Sequence, residues 1–192
     1  MRRRVEITLL ALFCVAACVQ QKGTFTDPRD GKKYKTVKIG KQTWMAENLN
    51  YATEGSKCYD NEPENCKKFG RLYNWDEAMK ACPVGWHLPS EKEWEILSDF
   101  VGINSGEKLK AKSGWQNNGN GTDKYNFSAL PGGRGFIRFV KIDSIAFWWS
   151  SSASKSIHNA AWSLSMYCFY SGSSGGYNYY MTNLLSIRCV KD

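Results

Sequence analysis

Alternation of apolar and polar residues near the start of the chain predicts a β-hairpin. Over residues 34–39, aromatic or branched side chains alternate with polar ones, as expected of a strand that buries one face. Gly40 and Lys41 then offer a two-residue turn with glycine first. Residues 42–45 supply the returning strand.

Helical periodicity follows in the middle of the chain. Residues 74–81 predict a short helix, which Pro83 ends because proline cannot continue the hydrogen-bond ladder. Ser90 and Glu93 have the spacing of a capping box, which satisfies free amides at a helix start. Gly102 marks the end of that second helix. Its apolar positions share one face: Trp94, Leu97 and Val101.

Beyond Gly102 the pattern becomes irregular. Residues 107–112 predict a brief helix, and residues 117–126 are dense in Asn and Gly, which predicts a loop. Short strand-like runs then lie around residues 137–140, 147–150, 161–167 and 185–190. Short strands that follow helices, with long polar loops between them, predict an α+β fold rather than a parallel α/β sheet.

The N-terminus has the pattern of an export signal. An apolar run at residues 7–17 follows three arginines, and it is too short for a bilayer of roughly 30 Å, which needs about 20 residues. Such a run is typical of a cleaved signal peptide. We therefore expect a signal peptide at 1–17, a polar tether at 18–26 and a single domain at 27–192.

The residues before the expected cleavage point indicate a lipoprotein. Val15-Ala16-Ala17-Cys18 resembles a lipobox, which implies that the Cys18 thiol is acylated and anchors the protein to a membrane. The alternative is an ordinary secretory signal with an incidental cysteine. Val19 follows Cys18 instead of the aspartate that retains lipoproteins of enteric bacteria in the inner membrane, so we expect the outer membrane.

The charge distribution argues against a nucleic-acid partner. The chain has 192 residues and a formal net charge of +8, which falls to +6 without the signal peptide. Its lysines are scattered, with the doublets Lys32-Lys33 and Lys67-Lys68 as the longest basic runs. No basic stripe matches a nucleic-acid footprint. The positive charge suits adhesion to anionic surfaces or belongs to a solvated exterior.

Cysteine usage indicates disulfides. In an oxidising compartment, cysteines pair where geometry allows, and an odd number leaves one thiol over. The sequence has two histidines and neither a CxxC motif nor a zinc-like Cys/His cluster, so we expect no metal. Five cysteines follow Cys18: Cys58, Cys66, Cys82, Cys168 and Cys189.

Several segments together resemble one family, the Fibrobacter succinogenes major paralogous domain family. The resemblance covers residues 27–192 and is carried by DPRDGKKY at 27–34, IG at 39–40, QTWMAENLNY at 42–51, CPVGWHLPSEKEW at 82–94, FSALPGG at 127–133, WWSS at 148–151 and SIRCV at 186–190. That family is in turn similar to the C-type lectin-like fold, which includes the formylglycine-generating enzymes. The features shared with that fold are LPSEKEWE at 88–95 and RCV at 188–190.

The resemblance has consequences for the cysteines. It implies a disulfide between Cys82 and Cys189, a local bridge between Cys58 and Cys66, and an unpaired Cys168. Formylglycine-generating enzymes hold copper with a pair of active-site cysteines. Because Cys168 alone is spare, that activity is not carried over, and we expect neither catalysis nor a cofactor.

Calcium-dependent sugar binding is not supported either. True C-type lectins use a Glu-Pro-Asn or Gln-Pro-Asp triplet with Trp-Asn-Asp. Here Glu62-Pro63-Glu64 lies too early in the chain, and Trp-Asn-Asp does not occur. Four loop residues carry side-chain oxygens of the kind that bind calcium. Their role in tight turns explains the same residues more simply: Asn117, Asn120, Asp123 and Asn126.

Aromatic residues suggest a ligand surface. Eight Trp and ten Tyr are many for this length, and flat rings stack on sugar faces. Trp44, Trp75, Trp86 and Trp94 lie in regular elements and are expected in the core. The binding candidates lie in polar, Gly-rich stretches, where they are exposed or packed beneath loops: Trp115, Tyr125, Tyr170, Tyr177, Tyr179 and Tyr180.

These patterns predict a non-catalytic binding module on a surface lipoprotein. Its expected partners are the membrane, through the lipid, and a carbohydrate such as a cell-wall polysaccharide. One alternative is a structural component of the envelope that binds only protein. Another is a relative of the formylglycine-generating enzymes that has lost the cysteine pair.

Overall fold

The computed structural model describes residues 21–192. The predicted signal peptide and the predicted lipidation site, Cys18, lie outside the described residues. Within residues 21–192, no helix is long and apolar enough to cross a membrane.

The first sheet joins the two ends of the described chain. Its strands are β1 (Lys22–Thr26), β2 (Lys33–Ile39), β3 (Gln42–Met45), β5 (Trp86–His87) and β12 (Val190–Lys191), in the spatial order β1-β2-β3-β12-β5. All neighbours are antiparallel. The predicted hairpin is confirmed, with Ile39 opposite Gln42 across the turn.

β1 corrects the extent of the predicted tether. Residues 22–26 are paired with β2 from Lys22 opposite Val37 to Thr26 opposite Lys33, so the ordered domain begins before residue 27. Four of the five strand residues are exposed. An edge strand with little buried surface has no apolar alternation, which is why the sequence indicated a linker.

Residues 21–192 contain four helices and a short 3-10 turn. They are the turn Tyr59–Asn61, α1 (Pro63–Phe69), α2 (Trp75–Ala81), α3 (Glu91–Val101) and α4 (Ser105–Leu109). The predicted capping box at the start of α3 is present in full, and Gly102 ends that helix. α4 lies two to three residues earlier than the sequence indicated, because Asn104 adopts a left-handed conformation before it and Lys110 is already extended.

The second sheet contains most of the C-terminal half. Its strands are β4 (Leu72–Tyr73), β6 (Gly132–Gly135), β7 (Phe139–Ile142), β8 (Ile145–Ala153), β9 (Ala160–Tyr167), β10 (Ser173–Tyr180) and β11 (Leu185–Ser186). The main path runs β10-β9-β8-β11-β4, with β6 and β7 attached to β8. The chain is therefore α+β, with more sheet than helix.

β8 divides the interior into two clusters, because successive side chains of a strand point to opposite faces. Trp148 packs with Trp94 and Phe127 on the side of α3. Phe147 and Trp149 belong to the cluster on the side of α2. As predicted, Trp44, Trp86 and Trp94 are buried, and Trp75 is partly buried.

Two disulfides are present among residues 21–192, and they are the pairs that the family resemblance implied. Cys82, which ends α2, is bonded to Cys189, just before β12. Cys58 is bonded to Cys66 in α1. Cys168 is free and buried.

Candidate functional site

Trp115 does not lie on the surface, so of the two arrangements expected for it, exposed or packed beneath a loop, the structure has the second. Its side chain is only 4% exposed, packs in the α3 cluster and donates from Nε1 to the Ala129 carbonyl oxygen at 2.9 Å. Lys110 lies over its ring. Trp115 therefore holds the loop from beneath.

Three of the tyrosine candidates lie in a strand rather than in a loop. Tyr177, Tyr179 and Tyr180 belong to β10, which pairs with β9 across a bulge that contains Gly175 and Gly176. Because strand residues alternate, Tyr177 and Tyr179 share one face and Tyr180 points to the other. The Ser- and Gly-rich composition concealed this edge strand.

The candidate aromatics do not form one platform. Tyr179 is half-buried against Phe147, with ring centroids 5.4 Å apart. Tyr170 is half-exposed in the turn after β9, where it packs against Gly172. Tyr125 contacts Phe100, with ring centroids 6.1 Å apart. The structure therefore distributes these residues over separate surfaces.

One small aromatic row does form, around Tyr177. Its ring centroid lies 6.5 Å from that of Tyr167, which in turn lies 5.5 Å from that of Phe169. Phe169 is 80% exposed. Of the predicted binding residues, only Tyr177 is part of this row.

A groove of about 480 Å³, which we call the basic groove, lies beside β2 and α1. The strand β2 and the segment before it form one wall, and the end of α1 forms the other. Asn48 and Arg188 lie between them. Five lysines line the groove: Lys32, Lys33, Lys35, Lys67 and Lys68.

Local sequence explains how the two walls meet. On β2, Lys33 and Lys35 are exposed on either side of buried Tyr34. Lys67 and Lys68 occupy the last turn of α1. Gly70 ends that helix at φ 76°, so closely packed that an added Cβ would lie 2.8 Å from Asn48 Cβ. Glycine thus lets α1 approach the groove floor closely.

Arg188 is a buried cation beneath the groove. It is 1% exposed, and its guanidinium donates to Asn48 Oδ1 at 2.9 Å and to the carbonyl oxygens of Phe127 and Ser128. No described carboxylate forms an ion pair with it. Burial lowers the pKa of Arg188 to about 9, against smaller opposing effects of Asp123 and Glu47. The group is therefore still charged near neutral pH.

Asn48 is fixed by its neighbours. Its Oδ1 also accepts a hydrogen bond from Trp148 Nε1 at 2.8 Å, and its Nδ2 donates to the Phe69 carbonyl oxygen at 2.8 Å. These bonds join the groove floor to β8 and α1. A floor held in this way keeps its shape when a ligand enters, which reduces the entropy cost of binding.

Unbalanced positive charge is concentrated on the β2 wall. Lys32, Lys67 and Lys68 pair with carboxylates outside the lining, those of Asp30, Glu64 and Asp143. Lys33 and Lys35 form no ion pair with any described residue. Because exposed ion pairs are weak, the three paired lysines also remain available to an anion.

The lining of the basic groove contains few acidic side chains. Glu47 is the single carboxylate among the lining residues, and its Oε2 accepts from the Lys35 backbone amide at 2.7 Å. Among residues 21–192, moreover, no cluster of three or more His, Cys, Asp or Glu has the arrangement of a metal site.

The sequence pattern alone does not predict this groove. The doublets Lys32-Lys33 and Lys67-Lys68 were its only visible signal, as the longest basic runs in the chain. They are separated by more than thirty residues, and only the packing of α1 beside β2 brings them together. Arg188 carried no sign of burial, since a charged residue is rarely found inside.

Comparison with known proteins identifies one family. The family model of the Fibrobacter succinogenes major domain matches residues 37–191. No curated protein and no solved structure matches the chain. The matched range includes the α1 wall and the floor of the groove, whereas the lysines of the β2 wall precede it.

Proposed function

We propose, from the premise that the chain belongs to the Fibrobacter succinogenes major domain family, that it is a lipid-anchored envelope protein. Its domain would be a non-catalytic module that binds a polysaccharide carrying carboxylate groups. The observation that carries this proposal is the basic groove, with lysines on both walls and the unpaired cation Arg188 beneath it.

The dimensions of the groove agree with such a ligand. Its volume of about 480 Å³ falls within the range of roughly 300–1,000 Å³ that is usual for small-molecule sites. The lysines on facing walls would pair with the carboxylates of successive sugar units. The amide of Asn50 and the hydroxyl of Ser128, which also line the groove, suit sugar hydroxyls.

We also propose a fold for the domain and a location for the protein. We propose a C-type lectin-like fold, supported by the bond between Cys82 and Cys189 and by the sheet that joins both ends of the domain. The lipobox-like residues before Cys18 support the lipid anchor. Val19 after that cysteine supports the outer membrane.

The aromatic row of Tyr167, Phe169 and Tyr177 favours a second candidate function. An exposed aromatic group beside an edge strand is typical of contact with another protein, as in a structural component of the envelope. Substitution of Phe169 by serine would weaken a protein partner's binding while leaving the basic groove intact.

Binding of charged and neutral oligosaccharides tests the principal proposal. We would use the chain from residue 18 with Cys18→Ser, and measure its affinity for oligogalacturonate and for neutral cello-oligosaccharide by calorimetry. We expect binding of the uronate only, with an affinity that falls as salt is added. The double charge reversal Lys33→Glu and Lys35→Glu should lower the affinity about tenfold or more, or about 1.4 kcal/mol.

A matched control separates the groove from overall charge. Lys80 and Lys155 are exposed and lie outside the groove lining, so Lys80→Glu with Lys155→Glu changes the net charge equally. This control should bind the uronate as the parent does. Equal binding of neutral and acidic oligosaccharides, or equal losses in the two double variants, would contradict the proposal.

A further inference from the structure

A second basic surface lies at the tip of the first hairpin, away from the lining of the basic groove. We call it the docking face and define it by Lys22, Lys38, Phe100, Lys124 and Tyr125. These residues surround a cavity of about 530 Å³, with Ile39, Gly40 and Asn126 completing its lining. No residue of the basic groove contributes to it.

The two rings of the docking face are set at an angle. Phe100 is 49% exposed and rests on Gly40, where an added Cβ would lie 2.9 Å from the ring. The ring of Tyr125 meets it at an interplanar angle of 68°. The two rings therefore form an angled surface, unlike the flat platform that stacks on sugar rings.

The charged residues of the docking face are all positive. All three of its lysines are exposed, and none of them pairs with a carboxylate among the described residues. No acidic residue contributes to the lining. Ile103, three residues after Phe100 in the sequence, is 87% exposed. Lysines around partly exposed aromatic rings are the composition of surfaces that lie in a membrane interface.

The start of the described chain lies beside this face. Gln21 accepts a hydrogen bond through its carbonyl oxygen from the Lys38 amide at 2.9 Å, and Lys22 is itself part of the face. Cys18 precedes Gln21 by three residues. Fully extended chain spans about 3.5 Å per residue, so the Cα of Cys18 cannot lie more than about 11 Å from that of Gln21.

We propose that the docking face lies against the anionic headgroups of the membrane that holds the lipid anchor. This inference rests on the lipidation of Cys18 in the proposed function. The three lysines would pair with lipid phosphates, since basic residues near a negative membrane surface are attracted to it, while Phe100 and Tyr125 enter the interface. The anchor alone would let the domain tumble, and the docking face gives it one orientation.

Vesicle binding without the anchor tests the face itself. The Cys18→Ser chain is mixed with vesicles of phosphatidylglycerol and phosphatidylcholine, or of phosphatidylcholine alone, and sedimented. We expect binding to the anionic vesicles at low salt and little to the neutral ones. Reversal of all three lysines, Lys22→Glu, Lys38→Glu and Lys124→Glu, should weaken anionic binding at least tenfold.

Controls assign any binding to one surface. The triple variant Lys80→Glu, Lys92→Glu and Lys155→Glu has the same net charge and should keep its vesicle binding. The groove variant Lys33→Glu with Lys35→Glu should bind vesicles as the parent does and uronate about tenfold more weakly, and the docking variant should bind uronate as the parent does and vesicles more weakly. Loss of vesicle binding in the groove variant would overturn the inference, because the membrane would then bind the basic groove. Loss of uronate binding in the docking variant would also overturn it, because the uronate would then bind the docking face.

Amine labelling of the acylated protein tests the orientation directly. In membranes that contain phosphatidylglycerol, Lys22, Lys38 and Lys124 should be protected from acetylation relative to Lys80 and Lys155. Mass spectrometry of the same sample reports whether Cys18 is acylated. Equal labelling of all five lysines on an acylated protein would refute docking while leaving the proposed function standing, whereas an unmodified Cys18 would remove the premise of both the anchor and the docking.

Discussion

His87 joins three parts of the chain through its ring. Its Nδ1 lies 2.6 Å from Asp192 Oδ1 and its Nε2 lies 2.7 Å from Glu93 Oε1. Burial lowers the pKa of His87, but the hydrogen bonds to the two carboxylates outweigh burial and raise it above its usual 6.5. Burial opposes ionisation of Glu93 as well, and yet its bonds to Ser90 and His87 lower its pKa below 4.5.

These shifts predict a pH-dependent stability. The raised pKa of His87 contributes stability that is complete below pH 6.5 and lost as pH rises through the folded-state value. The lowered pKa of Glu93 contributes stability above pH 4.5 that is lost in acid. His87→Gln should therefore lower Tm more at about pH 6 than at about pH 9. A Tm difference that stays constant across this range would show that folding does not raise the pKa of His87.

Single residues also show the limits of inference from sequence. Trp44 and Trp94 were assigned to the core because each lies in a periodic element. Trp115 lies among Gly and Asn, and composition indicates a loop there without indicating depth. Its burial depends on the carbonyl of Ala129 and the ring contacts of the α3 cluster, which come from segments that only the fold brings near.

At the scale of elements, strong local signals were sufficient. α3 was located to the residue because its capping box and glycine stop are chemical features of the sequence itself. The hairpin of β2 and β3 was located by alternation and a glycine turn. β1 and β10 were missed because both are edge strands, where pairing on one side supplies order that side-chain burial does not reveal.

The two disulfides should differ in their contribution to stability. Cys58 and Cys66 are separated by 8 residues, whereas Cys82 and Cys189 are separated by 107. In the chain-entropy model the short loop is worth about 2.5 kcal/mol and the long loop about 4.8 kcal/mol. Double serine variants of each pair should lower the free energy of unfolding in that order. Equal losses in urea denaturation would show that native packing, rather than the unfolded chain, determines the effect.

At the scale of the whole molecule, the basic groove assembles residues that are distant in sequence. Lys33, Lys68 and Arg188 come from a strand, a helix and the segment before the last strand. Their types were visible in the sequence, but their proximity depends on the first sheet pairing β12 with β3. The sequence therefore predicts the fold class and the disulfides but not the basic groove.

The position of β8 between the two buried clusters predicts that the molecule unfolds as one unit. Trp148 donates from Nε1 to Asn48 Oδ1 in one cluster, and Trp149 donates from Nε1 to the Tyr73 carbonyl oxygen in the other, both at 2.8 Å. Because neighbouring residues of one strand are buried in both clusters, neither cluster can lose its packing while the other keeps β8 in place.

Trp148→Phe and Trp149→Phe should therefore each lower the free energy of unfolding while the protein still unfolds in a single transition. Each change removes ring volume and leaves a buried oxygen without one donor, which together cost about 1–3 kcal/mol. Urea unfolding followed by far-ultraviolet circular dichroism and by tryptophan fluorescence should give coincident curves in the parent and in both variants. If one substitution instead moved the fluorescence curve away from the dichroism curve, the two clusters would be separate folding units and β8 would be only their boundary.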